Sequence, residues 1–146
     1  MSTPRSILFV CTGNYYRSRF SEHFFNHLAP RYQLSTRADS AGLRHQNPDN
    51  TGPISRYARK RLNALEIPVD EERFPRGITE YDLRSFNQVI ALDEDEHRPM
   101  MDELWPEWAD HITYWQIPDI QFMEPEEALD RLVLRLRAYL ECLRTS

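Results

Sequence analysis

Five residues separate Cys11 from Arg17, and Ser18 follows at once. A thiol, a guanidinium and a hydroxyl at that spacing suit nucleophilic chemistry on an oxyanion, provided that the segment between them curls. Cysteine thiolate is a strong nucleophile. The planar fork of arginine takes two oxygens of a phosphate at once. Gly13 and Asn14, between them, are the residues that best tolerate the positive φ such a curl requires. Where the curl enters a helix, the first backbone N–H groups lack intrahelical partners and converge on a bound anion. Cys11 then lies at the bottom of a cradle formed by Thr12, Gly13, Asn14, Tyr15, Tyr16 and Ser18, whose donors hold the substrate and stabilise the thiolate. A lone cysteine at a strand end is commonly a small core hydrophobe. Here five residue types fall together at the required offsets, and that points to function.

The elements that must position the cradle flank it. Ile7-Leu8-Phe9-Val10 is a β-favouring apolar run, and Phe20, Phe24, Phe25 and Leu28 make an apolar stripe at helical spacing over 18–28. Residues 32–40 read as a second strand leading into Ser40-Ala41-Gly42, and 43–52 as a polar surface loop. Pro53 opens a helix with Ile54, Tyr57, Ala58, Leu62 and Leu65 on one face. Thr79 and Asp82 resemble a capping box. Residues 88–93 form a near-continuous apolar run, as expected of a parallel strand buried on both faces. The acidic run 93–96 that follows suits a helix N-terminus, with Asp93 as a cap and no role assigned to His97. A short strand over 111–115 precedes a last helix opened by Pro125, with Leu129, Leu132, Val133, Leu136, Leu140 and Leu143 as its buried stripe. This alternation predicts an α/β domain whose parallel sheet is covered on both faces.

A chain of 146 residues with 40% hydrophobic and 28% charged residues is the size and composition of one soluble domain, residues 1–146. No apolar run approaches a membrane span, and Met1 to Arg5 lead into the first strand without a signal-peptide core, so a cytoplasmic location and no membrane partner are expected. A net charge of −5 argues against nucleic-acid binding. Two cysteines, Cys11 and Cys142, are too few for a disulfide framework, and Cys142 reads as structural and inert. His23 and His27 lie four apart without a third ligand and read as a solvated face, so no metal and no cofactor are expected.

The run Val10-Cys11-Thr12-Gly13-Asn14-Tyr15-Tyr16-Arg17-Ser18 resembles the signature loop of the low-molecular-weight protein tyrosine phosphatases, usually V-C-x-G-N-x-C-R-S-P near the N-terminus. Tyr16 stands where that family commonly has a second cysteine, and Arg19 where it has proline. The resemblance implies a three-layer α/β/α sandwich with a four-stranded parallel sheet and the phosphate-binding loop after the first strand. It also implies that Asp119, late in the chain, is the general acid, although Ile120 replaces the proline that normally follows. Asp39-Ser40-Ala41-Gly42 matches a turn beside the family's loop, so Ser40 is implied to support Asn14. Where the family commonly has H-x-A-R, this chain has Arg73-Phe74-Pro75-Arg76 and lacks the histidine that braces the loop asparagine in some relatives.

The chemistry expected is metal-independent hydrolysis of a phosphate monoester through a phosphocysteine on Cys11, with Arg17 holding the oxygens. The substrate would be a phosphotyrosine protein or a small aryl phosphate, and the enzyme a monomer. Tyr15 and Tyr16 are candidates to wall the pocket, at least one of them packing under the loop, with Phe122 and the Trp105 loop as further wall candidates. The alternatives are a thiol-dependent arsenate reductase on the same loop, or a non-catalytic phosphate-binding or phosphocysteine-carrier module.

Overall fold

Every side chain from Ile7 to Val10 is fully buried, because the strand that carries them has neighbours on both edges and helices on both faces. The computed structural model describes residues 3–145. Strand β1 (Ser6–Cys11) pairs in parallel with β2 (Arg37–Gly42) on one side and β3 (Gln88–Ala91) on the other, and β4 (Thr113–Tyr114) closes the order β2-β1-β3-β4. The helices are α1 (Arg17–Leu28), α2 (Arg56–Ala64), α3 (Glu80–Ser85), α4 (Glu94–Leu104) and α5 (Pro125–Arg144). The result is the expected three-layer α/β/α sandwich.

Alternation along β1 divides the core. Ile7 and Phe9 face a cluster built with Phe20, Phe24 and Phe25 of α1 and Leu132, Leu136 and Leu140 of α5. Leu8 and Val10 face a second cluster, with Leu83 of α3 and Met101 of α4. From β1 the chain crosses to β2 on one side, and later continues through β3 to β4 on the other. The C-terminal end of β1 is therefore the point where strand order reverses, the place where ligands bind in open α/β sheets.

Several boundaries differ from the sequence reading. Residues 29–32 form a 3₁₀ turn closed by Gln33 at φ 61°, so β2 begins only at Arg37. Helix α2 starts after Ser55 and not at Pro53, because the Ser55 hydroxyl accepts from the Tyr57 N–H at 3.1 Å and caps it; Leu65 falls beyond its end and is exposed. The expected strand over 111–115 is reduced to two residues, and Trp115 instead packs into the core against Phe9 and Tyr139. His23 is buried, not solvated: its Nε2 accepts from the Asp70 N–H at 3.0 Å, which leaves Nδ1–H to donate to the Arg19 carbonyl at 2.9 Å. Cys142, read as structural, lies on the exposed side of α5. Among the described residues no helix is long and apolar enough to cross a membrane.

Candidate active site

The loop between β1 and α1 turns on Asn14, whose φ of 52° lies in the left-handed region and whose side chain is fully buried. Each amide atom has two partners. Nδ2 donates to Ser18 Oγ at 2.9 Å and Ser40 Oγ at 2.8 Å, while Oδ1 accepts from Arg73 Nη1 at 3.2 Å and the Arg76 N–H at 2.9 Å. Because those last two are donors only, the amide has one orientation. Ser18 thus receives a proton from Asn14, and its own hydroxyl proton is left for Cys11 Sγ, 2.9 Å away. That hydroxyl is placed to donate to the sulfur. Ser40 passes its proton the other way, to Glu22 Oε1 at 2.6 Å.

Arg73, at the position where the resemblance sets a histidine, takes part in this network. Besides Asn14, Arg73 donates to Asp39 Oδ1 at 3.1 Å and to the Ser40 carbonyl at 2.6 Å. Burial opposes ionisation of Asp39, but the Ser40 N–H together with Arg73 and Arg76 outweighs it and holds the carboxyl below the usual range. Arg19, at the proline position, is fully buried: it donates to the Pro53 and Arg73 carbonyls, with Glu22 3.4 Å from its Nε. Both departures place a cation against the bracing network.

Two glycines let backbone meet backbone or a neighbouring side chain closely. A Cβ on Gly42, which is opposite Cys11 in the β1–β2 register, would lie 2.7 Å from the Thr12 carbonyl oxygen and 3.0 Å from the Asn14 nitrogen. One on Gly13 would lie 3.0 Å from Asn50 Nδ2 in the 43–52 loop.

Arg17 is 2% exposed. Its Nη1 and Nη2 bind Glu96 Oε1 and Oε2, each at 3.0 Å, and Nη1 also donates to the Ile117 carbonyl at 3.0 Å. Asp119 Oδ2 lies 3.7 Å from Nη2. Glu96 accepts in addition from the Thr12 hydroxyl and lies beside His97 Nε2 at 3.3 Å. His97 Nδ1 accepts from the Asp93 N–H at 3.0 Å, so the neutral ring carries its proton on Nε2, facing Glu96 and Thr12. Burial works against ionised Glu96, but His97, Arg17 and Thr12 together hold it far below the carboxylate range. Asp93 takes the helix N-cap position without a side-chain capping bond, and burial raises its pKa.

A cleft of about 320 Å³ opens over Cys11 and Arg17. Tyr15, Tyr16 and Tyr57 supply its aromatic surface, Asn47 and Asn50 part of its rim, and Asp119, Ile120 and Gln121 the opposite side. Tyr15 is tethered to the surface loop through its hydroxyl, which donates to the Thr51 carbonyl at 2.6 Å. Tyr16 packs inward, edge to face with Tyr57 at 6.5 Å, and burial pushes its hydroxyl pKa up to about 12. Phe122 is 76% exposed and does not line the cleft, and Trp105 packs against the cluster on the other face of the sheet. These two wall expectations are corrected, because the 119–123 turn directs Ile120 and Gln121 inward instead. Among the described residues no group of three or more His, Cys, Asp or Glu side chains is arranged to hold a metal ion.

The structure thus brings Cys11, Arg17, Ser18, Asn14, Ser40 and Asp119 together. Sequence reasoning missed Glu96, Glu22, Arg73, His97 and Tyr57. Arg73 carried a signal, its position in the H-x-A-R match; the other four carried none beyond helical placement.

Comparison with known proteins gives a consistent result. The family described as low molecular weight phosphotyrosine protein phosphatase matches residues 6–122. The low molecular weight protein-tyrosine-phosphatase YfkJ of Bacillus subtilis (strain 168) is 35% identical over 92 residues, which are 62% of this chain and 57% of that relative's length. The crystal structure of YfkJ superposes with a TM-score of 0.80 at 25% identity, covering 96% of this chain and 94% of the other. That of SP-PTP, a low molecular weight protein tyrosine phosphatase from Streptococcus pyogenes, gives 0.78 at 21% identity, covering 98% and 93%.

Proposed function

We propose that this chain, which belongs to the low molecular weight phosphotyrosine protein phosphatase family, hydrolyses aryl phosphate monoesters, with phosphotyrosine in proteins as its substrate class. The observation that carries the reading is the directed chain from Asn14 through Ser18 to Cys11 Sγ, set in one cleft with Arg17 and Asp119.

In the first step the Cys11 thiolate attacks phosphorus in line while Arg17 and the loop N–H groups hold the equatorial oxygens. The S–P bond forms, the bridging P–O bond breaks, and the departing aryl oxygen takes a proton from Asp119. In the second step water attacks the phosphocysteine and gives its proton to the Asp119 carboxylate. The S–P bond breaks and the electron pair returns to sulfur, and the Ser18 hydroxyl donates a hydrogen bond to the regenerated thiolate. Tyr15, Tyr16 and Tyr57 suit an aromatic leaving group. A thiolate nucleophile works in a reducing compartment, which supports the cytoplasm as its location.

Hydrolysis of para-nitrophenyl phosphate tests the reading. The wild type should turn over, Cys11→Ser should not, and Asp119→Asn should lose about 10²-fold or more in kcat. That last loss should vanish with a leaving group that needs no proton. Undiminished activity in Cys11→Ser, or thioredoxin-dependent arsenate reduction in place of ester hydrolysis, would overturn it.

A further inference from the structure

Helix α5 carries Arg131, Leu134 and Arg135 at helical spacing on an outward face beside the sheet edge, and Leu134 is 70% exposed. Strand β4 is last in the order β2-β1-β3-β4, with no strand among the described residues on its outer side. The N–H groups of Trp115 and Ile117 donate inward, to the Ala91 and Leu92 carbonyls at 2.8 Å each, so Gln116 between them turns its carbonyl outward. Arg131 Nη1 donates to that carbonyl at 3.2 Å, and the Arg135 guanidinium lies over the Trp115 ring, 4.4 Å from its centroid. Both cations are thus held in place before any ligand arrives, which lowers the cost of binding one. They line, with Leu134, a groove of about 530 Å³ between α5 and residues 114–117. No carboxylate lines it, although the chain carries 23 acids against 18 lysines and arginines. Asp130, next to Arg131 in sequence, is turned to Arg61 of α2 at 2.9 Å, and among the described residues neither Arg131 nor Arg135 enters an ion pair.

Guanidinium donors with none of their bonds spent on carboxylates suit an anionic ligand. Residues four apart on a helix hold side chains about 5–6 Å apart, close to the about 6.6–7 Å between alternate side chains of an extended chain. A single small anion would meet the arginines but leave Leu134 in water, whereas an extended peptide meets all three. We infer that this groove is a docking surface for an acidic peptide segment of a partner protein, whose carboxylates at alternate positions meet Arg131 and Arg135 while an apolar side chain on the same side covers Leu134. The groove and the cleft over Cys11 have no lining residue in common, so the inference does not rest on the phosphatase reading.

The test follows the fluorescence anisotropy of a labelled peptide in which two glutamates and a leucine occupy alternate positions with serine between, titrated with the full chain. The wild type should bind it saturably, and more weakly as salt is raised from about 0.05 M to about 0.5 M, because exposed charges are screened. Affinity should fall about threefold in Arg131→Gln and in Arg135→Gln, and about tenfold in the double variant. Leu134→Ala, at a position too exposed to disturb the core, should weaken binding about threefold. In NMR spectra the peptide should shift the amide signals of residues 114–117 and 131–138, and saturating inorganic phosphate should not displace it. Absence of saturable binding, equal binding of a peptide with lysine in place of glutamate, tighter binding of single-stranded DNA, or displacement by phosphate overturns the inference. Unaltered affinity in both the double arginine variant and Leu134→Ala does so as well. A wild type that binds the peptide but hydrolyses no phosphate ester refutes the phosphatase reading and leaves the docking surface standing.

Discussion

Replacing Arg73 should uncouple the cradle from the structure beneath it. The side chain is 19% exposed and makes charge-assisted bonds to Asn14 Oδ1, Asp39 Oδ1 and the Ser40 carbonyl. In Arg73→Ala two of these acceptors keep another partner, since Asn14 still receives the Arg76 N–H and Asp39 still pairs with the Arg76 side chain. Hydrogen bonds to charged groups contribute about 1.5–3 kcal/mol each when nothing replaces them. With the remaining partners compensating, the whole substitution should cost about 2–3 kcal/mol. For a chain of this length that corresponds to a fall in Tm of about 4–12 °C. The effect on catalysis is separate. Asn14 is held at a positive φ, which asparagine adopts more readily than other residues with a Cβ but which its side-chain partners fix here. With its amide less firmly held, the loop relaxes and kcat for para-nitrophenyl phosphate should drop about 10²-fold. Arg73→His, which restores the residue type usual in the family, should recover activity but make it depend on pH between about 5 and 8, where a histidine titrates and an arginine does not. A variant that melts lower yet keeps the wild-type kcat would show that Arg73 supports only the 70–76 segment, and the bracing argument would fail.

Acid should unfold the protein through Glu96, Asp39 and Asp82, whose folded-state pKa values are all lowered. Their contribution is fully present above about pH 5 and is lost as pH falls below the ordinary carboxylate values of about 4 toward the folded ones. Asp93, with its pKa raised, acts in the opposite sense but is one group against three. Tm should therefore fall steadily between about pH 5 and pH 2, and a flat profile would remove these ion pairs from any account of stability. Tyr16→Phe should cost under about 1 kcal/mol and leave kcat unchanged, because the hydroxyl makes only a 3.5 Å contact to the Pro125 carbonyl; a large kcat loss would assign that hydroxyl a chemical role. Peroxide should inactivate the enzyme without an intraloop disulfide, since position 16 is not a cysteine and Cys142 belongs to α5. Mass spectrometry should find higher oxidation states on Cys11, and full recovery by thiol after prolonged exposure would contradict this.

The cradle was legible in the sequence because its chemistry is local: Cys11, Gly13, Asn14, Arg17 and Ser18 lie within one turn of chain, where spacing alone carries meaning. What holds the cradle was not. Arg73 reaches Asn14 across 59 positions and Glu96 reaches Arg17 across 79, and no periodicity links such pairs. Glu96 was also masked by its neighbours, since four acids at a helix start are already accounted for by the helix dipole. A buried polar group misled in the same way: His23 has the spacing of a solvated face, and only its distant backbone partner at Asp70 reveals it as interior. Strand boundaries slipped where local rules compete, as at Pro30 and Gln33, whose turn delays β2, or at Trp115, whose packing shortens β4.

The departures of this chain from the family pattern sort by material. At 16, 19 and 73 a side chain has been exchanged, and in each case the newcomer has found other partners: an aromatic edge, two carbonyls, an amide and a carboxylate. At 42 the pattern is kept, and there the constraint is the absence of an atom, with Gly42 lying against the Thr12 carbonyl and the Asn14 nitrogen. Side-chain contacts can be renegotiated one substitution at a time, whereas a methyl group wedged between β2 and the loop has no neighbour able to yield. Drift around this site is thereby channelled: its bracing can be rebuilt from new residue types while the hydrogen-only position at Gly42 stays closed to change.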